Sequence, residues 1–255
     1  MRVHVVSDVH GHSEALARAG DGADALVCLG DLILFIDYED PAQGIFGDLF
    51  GAERAAEFIA LRTAKRFDEA RAMSQRLWRT LPGDPREHIE RNVRQQYETL
   101  FTAMPTPAYL TYGNVDLPNL WADHLRPGQT VLDGQTVELG GLVFGFVGGG
   151  LKTPYRTPYE LDEESFAAKV EALGEVDVLC THIPPAVPQL LYDTVARRFE
   201  RGSEAILRLI ERVQPRYALF GHVHQPLCAR TRIGRTECVN VGHFRGKGVP
   251  YILEW

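Results

Sequence analysis

Short apolar runs that stop abruptly at polar residues punctuate the chain. Val3, Val5 and Val6 form the first, and Ser7-Asp8, His10 and Gly11 follow it. Alternating β-branched residues bounded in this way predict a short buried strand. Ser13 to Leu16 opens a helix over residues 13–20, and Asp24 to Leu29 repeats the apolar run before Gly30-Asp31. Strand, helix and strand give a βαβ start. The pattern recurs at 107–112 before Gly113-Asn114, at 176–180 before Thr181-His182, and at 217–220 before Gly221-His222-Val223-His224. Runs at 130–132, 136–139, 142–147, 228–232, 237–241 and 251–254 predict further strands, and 162–173 and 203–213 predict helices. Residues 148–158, beginning with three glycines, read as a mobile loop.

Residues 36–106 follow a different period. Phe58, Ile59, Phe67, Met73, Leu77 and Trp78 recur at helical steps, which predicts one helix from about Ala52 to Leu81. Leu81-Pro82-Gly83-Asp84-Pro85 breaks it, and Ile89, Val93, Tyr97, Leu100 and Met104 predict a second. The pair reads as a helical hairpin inserted into a single domain of residues 1–255. Its apolar stripes would pack on each other, cover a site as a lid, or form a homodimer surface. Arginines on its polar faces alternate with acids and read as a solvated face.

The composition narrows the class. At 255 residues and 45% hydrophobic, the chain can bury a large core. A formal charge of −7 implies no bulk attraction to nucleic acid or an anionic membrane, though a local basic patch could still bind nucleic acid. No apolar stretch approaches membrane-spanning length. A strand that begins at residue 2 leaves no room for a signal peptide, so a cytoplasmic location is expected. Cys28, Cys180, Cys228 and Cys238 form no CxxC pair and read as reduced thiols.

The chemistry lies where the strands stop. Asp8 and His10 stand two apart, so an extended chain turns both to one side. Asp31, Asn114, His182, His222 and His224 occupy equivalent positions after later strands. Carboxylate, imidazole and amide oxygen suit Mn²⁺, with Fe, Zn, Ni or Co as alternatives. Seven such ligands are too many for one divalent ion and suit two that share a bridging carboxylate.

Asp8-x-His10, Gly30-Asp31, Gly113-Asn114, His182 and Gly221-His222-x-His224 resemble, in order and spacing, the five sequence blocks of the calcineurin-like metallophosphoesterases. The resemblance covers nearly all of the chain except the helical insertion. It implies an α/β fold, a four-layer α/β/β/α arrangement around a β-sandwich, with two metals at one sheet edge. By matching positions, Asp8, His10 and His224 would hold one ion, Asn114, His182 and His222 the other, and Asp31 would bridge them. Asp31, Asn114 and His182 would form the catalytic set, and a hydroxide activated by both metals would attack a phosphate ester. Neutral imidazoles are needed, so metal affinity and activity are expected to fall below about pH 6.5.

One position departs from the family pattern. Many members carry His after the Gly-Asn pair, where it is thought to protonate the leaving group; here that residue is Val115. This points to the bacterial and archaeal phosphodiesterase branch, with diesters or good leaving groups preferred over alkyl monoesters. His12 or His243 could substitute as the acid. Tyr155, Arg156, His243 and Arg245 are candidates for substrate binding, since arginine suits bidentate phosphate contact. The rival readings are a catalytically silent scaffold of the same fold, and a phosphomonoesterase or protein phosphatase.

Overall fold

The computed structural model describes residues 1–255. Its strands are β1 (Arg2–Val6), β2 (Ala25–Cys28), β3 (Ala108–Leu110), β4 (Gln129–Val131), β5 (Gln135–Leu139), β6 (Leu142–Val147), β7 (Gly150–Leu151), β8 (Glu160–Leu161), β9 (Val178–Thr181), β10 (Tyr192–Asp193), β11 (Arg198–Phe199), β12 (Tyr217–Phe220), β13 (Arg230–Ile233), β14 (Thr236–Asn240) and β15 (Tyr251–Glu254). Its helices are α1 (Ser13–Leu16), α2 (Gly44–Phe50), α3 (Ala52–Thr63), α4 (Phe67–Trp78), α5 (Pro85–Ala103), α6 (Pro118–Trp121), α7 (Glu163–Glu171), α8 (Pro188–Leu191), α9 (Glu204–Val213) and α10 (Phe244–Lys247). The chain divides into two compact units. One is Met1–Leu32 with Leu100–Trp255, and the other is Ile33–Thr99.

The first unit is a mixed α/β structure with two main sheets. One has strand order β15-β1-β2-β3-β4, and the other β13-β14-β12-β9-β6-β5. Strand periodicity explains how they pack. Val3, Val5 and Val27 of the first sheet share a core with Phe144, Phe146, Cys180 and Leu219 of the second. The alternate residues of the second sheet, Leu179, Ala218 and Phe220, pack instead against Phe166 of α7 and Ile206, Leu209 and Ile210 of α9. Ser203 caps α9 by accepting the Ile206 N–H at 3.2 Å. Behind the first sheet, His4 is buried with Nδ1 2.7 Å from the Ala19 carbonyl, and a carbonyl only accepts, so this nitrogen donates. Cys28, Cys180 and Cys238 are buried free thiols. No helix is long and apolar enough to cross a membrane.

The second unit corrects the expected hairpin: its helical part is built from α2, α3, α4 and most of α5. Lys65 takes a left-handed conformation (φ 60°) and ends α3, and the Arg66 N–H reaches back to the Leu61 carbonyl at 2.9 Å. No glycine or proline marks this break, so the apolar spacing runs straight across it. Phe46, Ala55, Phe58, Ala70 and Met73 form one core, in which the Phe46 and Phe58 rings stack at 4.6 Å. The packing runs among α2, α3 and α4, the last two within the stretch read as one helix, and this core holds no residue of α5.

The glycine-rich segment is also tied down more than expected. β7 pairs in parallel with β8, and the Gly149 N–H donates to the Tyr112 carbonyl at 2.7 Å.

Candidate metal centre

Parallel strands deliver the donors to one end of the first unit. Val6 lies beside Cys28, and Cys28 beside Leu110, so the segments that follow β1, β2 and β3 leave the sheet together with Asp8, Asp31 and Asn114. In the second sheet β9, β12 and β14 are parallel and end just before His182, His222 and the segment carrying His243. Ligand sites at the carboxyl ends of strands are a general property of open α/β sheets. His182 joins the two sheets, because its Nδ1 lies 2.9 Å from the Leu29 carbonyl and its own carbonyl accepts the Gly221 N–H at 3.0 Å.

The approach is close enough to require glycine. A Cβ on Gly113 would sit 1.9 Å from Asp31 Oδ1, and one on Gly221 2.4 Å from Asp8 Oδ2. Asp8, His10, Asp31 and His222 adopt φ values of 57°, 42°, 52° and 67°. Non-glycine residues in such conformations cost on the order of 1–3 kcal/mol each and tend to gather where geometry serves chemistry.

Hydrogen bonds divide the work of each carboxylate. Asp31 Oδ1 accepts the Val115 N–H at 2.9 Å. Asp31 Oδ2 lies 3.4 Å from His182 Nε2 and 3.9 Å from His10 Nε2, so one oxygen faces an imidazole on each side. Asp8 Oδ2 accepts the His222 N–H at 3.0 Å. Asp8 Oδ1 is buried without a hydrogen-bond partner, 3.4 Å from His224 Nε2 and 3.9 Å from His10 Nε2.

Those lone pairs need a positive charge between them. His182 Nδ1 must donate to the Leu29 carbonyl, which leaves Nε2 facing Asn114 Oδ1 at 3.0 Å and Asp31 Oδ2. A proton on Nε2 satisfies the three atoms in the metal-free protein, and a divalent cation satisfies them better because all three can be ligands. Ligand atoms of Asp8, His10 and Asp31 lie within 4.8 Å of one another, as do those of His10, His224 and His243. The donors present therefore fit divalent metal. The His222 ring completes the group edge-on to His182, with centroids 5.2 Å apart.

The electrostatics agree with this picture. Burial raises the Asp8 carboxyl, but the close approach and charge of His224, with His182 and His10, outweigh it and leave it well below the usual carboxylate range. Burial lowers His182, but Asp31 and then Asp8 overcome it and hold this imidazole up to about 9. A metal held by His182 would have to displace that proton. Affinity is then expected to fall about tenfold per pH unit below about 9 through this group alone, earlier than ordinary imidazoles would give. Calorimetric titration of Mn²⁺ into chelated protein, in buffers of different ionisation enthalpy, should register at least about one proton released at pH 7, since His224 is raised as well. No proton release would contradict it.

Asp116 supports the centre from behind. It is fully buried, and its carboxylate accepts the N–H groups of Asp31 (2.9 Å), Leu32 (3.0 Å) and Gly113 (2.8 Å). One side chain thus fastens the loop bearing Asp31 to the loop bearing Asn114. Burial and the Asp31 charge push it up to about 7 against those backbone donors.

The other predicted residues divide. His243 joins the cluster, stacked on His224 at 3.9 Å with an interplanar angle of 1°, and its Nε2 is buried without a partner. Burial, then His224, pushes it down to about 3. Arg245 is beside the cluster, but it donates from Nη1 to the His10 carbonyl at 2.8 Å and from its backbone to the Asp8 carbonyl at 3.0 Å. His12 turns to α10, 3.1 Å from the Arg245 carbonyl. Tyr155 accepts a hydrogen bond from Arg198, whose guanidinium lies 4.8 Å over its ring, and Arg156 is exposed. Thr157 and Glu160, which contact the centre through Asn114, carry no motif and went unmarked in the sequence.

A sequence model of the family described as calcineurin-like phosphoesterase matches residues 1–226, a span that includes all seven predicted donors. The chain belongs to the calcineurin-like phosphoesterase family. Calcineurin-like phosphoesterases act on phosphate esters and depend on metal, in keeping with the donor set here. The fold is similar to that of the crystal structure of TT1561 of Thermus thermophilus, with a TM-score of 0.52 and 16% identity, covering 96% of this chain and 90% of that one. Uncharacterized protein MJ1162 of Methanocaldococcus jannaschii is 30% identical over 140 residues, which is 50% of this chain and 60% of that protein. The match therefore spans less than two thirds of that relative's length.

Proposed function

We propose that this calcineurin-like phosphoesterase hydrolyses phosphodiesters at a two-metal centre. Asp8, His10 and His224 would hold one ion, Asn114, His182 and His222 the other, and Asp31 would be shared by both. The observation that carries this reading is Asp31 Oδ2, which faces His182 and His10 from one atom while Oδ1 is held by the Val115 N–H. A pair of divalent ions, Mn²⁺ first among the candidates, would supply hydroxide at neutral pH and offset charge on the phosphoryl oxygens.

The chain's own residues set the rest of the chemistry. The Leu29 carbonyl fixes the His182 tautomer, and the His222 N–H fixes the Asp8 carboxylate. His243 lies parallel to His224, and two parallel rings cannot hold one ion in both their planes. Its partnerless Nε2 is therefore assigned to substrate rather than to metal. Val115 offers no proton to a departing alkoxide, so an ester with a good leaving group, or a diester, is favoured over an alkyl monoester.

The test is hydrolysis of bis-p-nitrophenyl phosphate against p-nitrophenyl phosphate, with chelated enzyme and then with Mn²⁺ restored. Metal-dependent cleavage that favours the diester is expected. Preference for the monoester would overturn the diesterase reading and leave the hydrolase. Inactivity on both, with two ions bound, would overturn the proposed activity on simple phosphate esters.

A further inference from the structure

An asparagine binds metal through its amide oxygen, yet the two ends of a carboxamide have nearly the same shape. Something must turn the oxygen of Asn114 toward the centre and its nitrogen away. Asn114 Oδ1 lies 3.0 Å from His182 Nε2, and Nδ2 donates to the Thr157 hydroxyl at 2.9 Å.

The Thr157 hydroxyl is itself constrained. It donates to Glu160 Oε1 at 2.8 Å. That carboxylate also accepts the Thr157 N–H at 3.1 Å, the Thr153 hydroxyl at 2.6 Å and the Thr153 N–H at 2.9 Å. An ionised carboxylate can only accept. The Thr157 proton is therefore committed to Glu160, and the face left toward Asn114 is a lone pair, which only the NH₂ end of the amide can satisfy. The segment is pinned at the same place, because the Tyr159 N–H donates to the Asn114 carbonyl at 2.9 Å.

We infer that Thr157 and Glu160 are positioning residues that fix the direction of the Asn114 amide and so present its oxygen to the ion that Asn114 would share with His182. This rests on the proposed role of Asn114 as a ligand. The inference concerns the Asn114 ion alone, since neither residue bonds to Asp8, His10 or His224.

The test is calorimetric Mn²⁺ titration with a metal count per chain, on wild type and on Thr157→Val, Thr157→Ser and Glu160→Gln. Thr157→Val keeps the β-branched shape and leaves Glu160 its other donors, so the melting temperature of the chelated protein should change little. Affinity for one of the two ions should fall about 10–100-fold while the other is unchanged. Thr157→Ser should restore it. Glu160→Gln allows the hydroxyl to accept from Gln and donate to Asn114, which lets the amide invert, so the same ion should weaken with Thr157 intact. Wild-type affinity for both ions in Thr157→Val overturns the inference alone. A wild-type protein that takes up no second ion overturns the ligand role of Asn114, and the inference with it.

Discussion

Asp31→Asn is expected to lower Mn²⁺-dependent diester hydrolysis on the order of 10³-fold, about 4 kcal/mol in the barrier, and to leave at most one ion bound per chain. The carboxamide keeps the size of the side chain and can still accept the Val115 N–H, so the loop should hold its shape. What it loses is the charge on the atom between His182 and His10. Two cations held close together repel, and only a shared anionic ligand offsets that at both positions. The fold should survive, since the change removes one buried charge without opening a cavity. A variant that keeps more than about a tenth of the rate, a loss under about 1.4 kcal/mol, would show that Asp31 does not bridge.

Asp116→Ala should produce the largest loss of stability. Three buried backbone N–H groups, on Asp31, Leu32 and Gly113, would lose their only side-chain acceptor. Each unsatisfied buried donor costs about 1–3 kcal/mol, and a combined loss of roughly 3–5 kcal/mol is expected. For a unit of this size that lowers the melting temperature by roughly 10 °C. The change should also weaken metal binding, because it frees the Asp31 loop from the Asn114 loop. Asp116→Asn retains one acceptor oxygen and should fall between the two. A melting temperature within a degree or two of wild type would show that these loops are held by other contacts.

What could be read from the chain was the part encoded within a few residues. Each donor follows an apolar run directly, and parallel strands in register then place those ends together. α9 and β12 begin and end as expected because capping Ser203, the apolar spacing from Ile206 to Ile210, and the run from Tyr217 to Phe220 are local signals. Lys65 was not legible as a break, since its left-handed turn replaces no apolar position and uses neither glycine nor proline. The clamp of Thr157 and Glu160 on Asn114 was hidden for another reason. It spans 43 residues between ordinary polar side chains, and only the folded register of β7 with β8 brings them together. Asp116 follows Val115 directly, but nothing local in the chain shows its three backbone partners.

The most direct measurement is anomalous diffraction at the manganese edge from crystals grown with Mn²⁺. Two peaks about 3.5–4 Å apart are expected. One should lie among Asp8, His10 and His224 and the other among Asn114, His182 and His222, with Asp31 touching both. A single peak, or two peaks with Asp31 bound to only one of them, would contradict the two-metal centre.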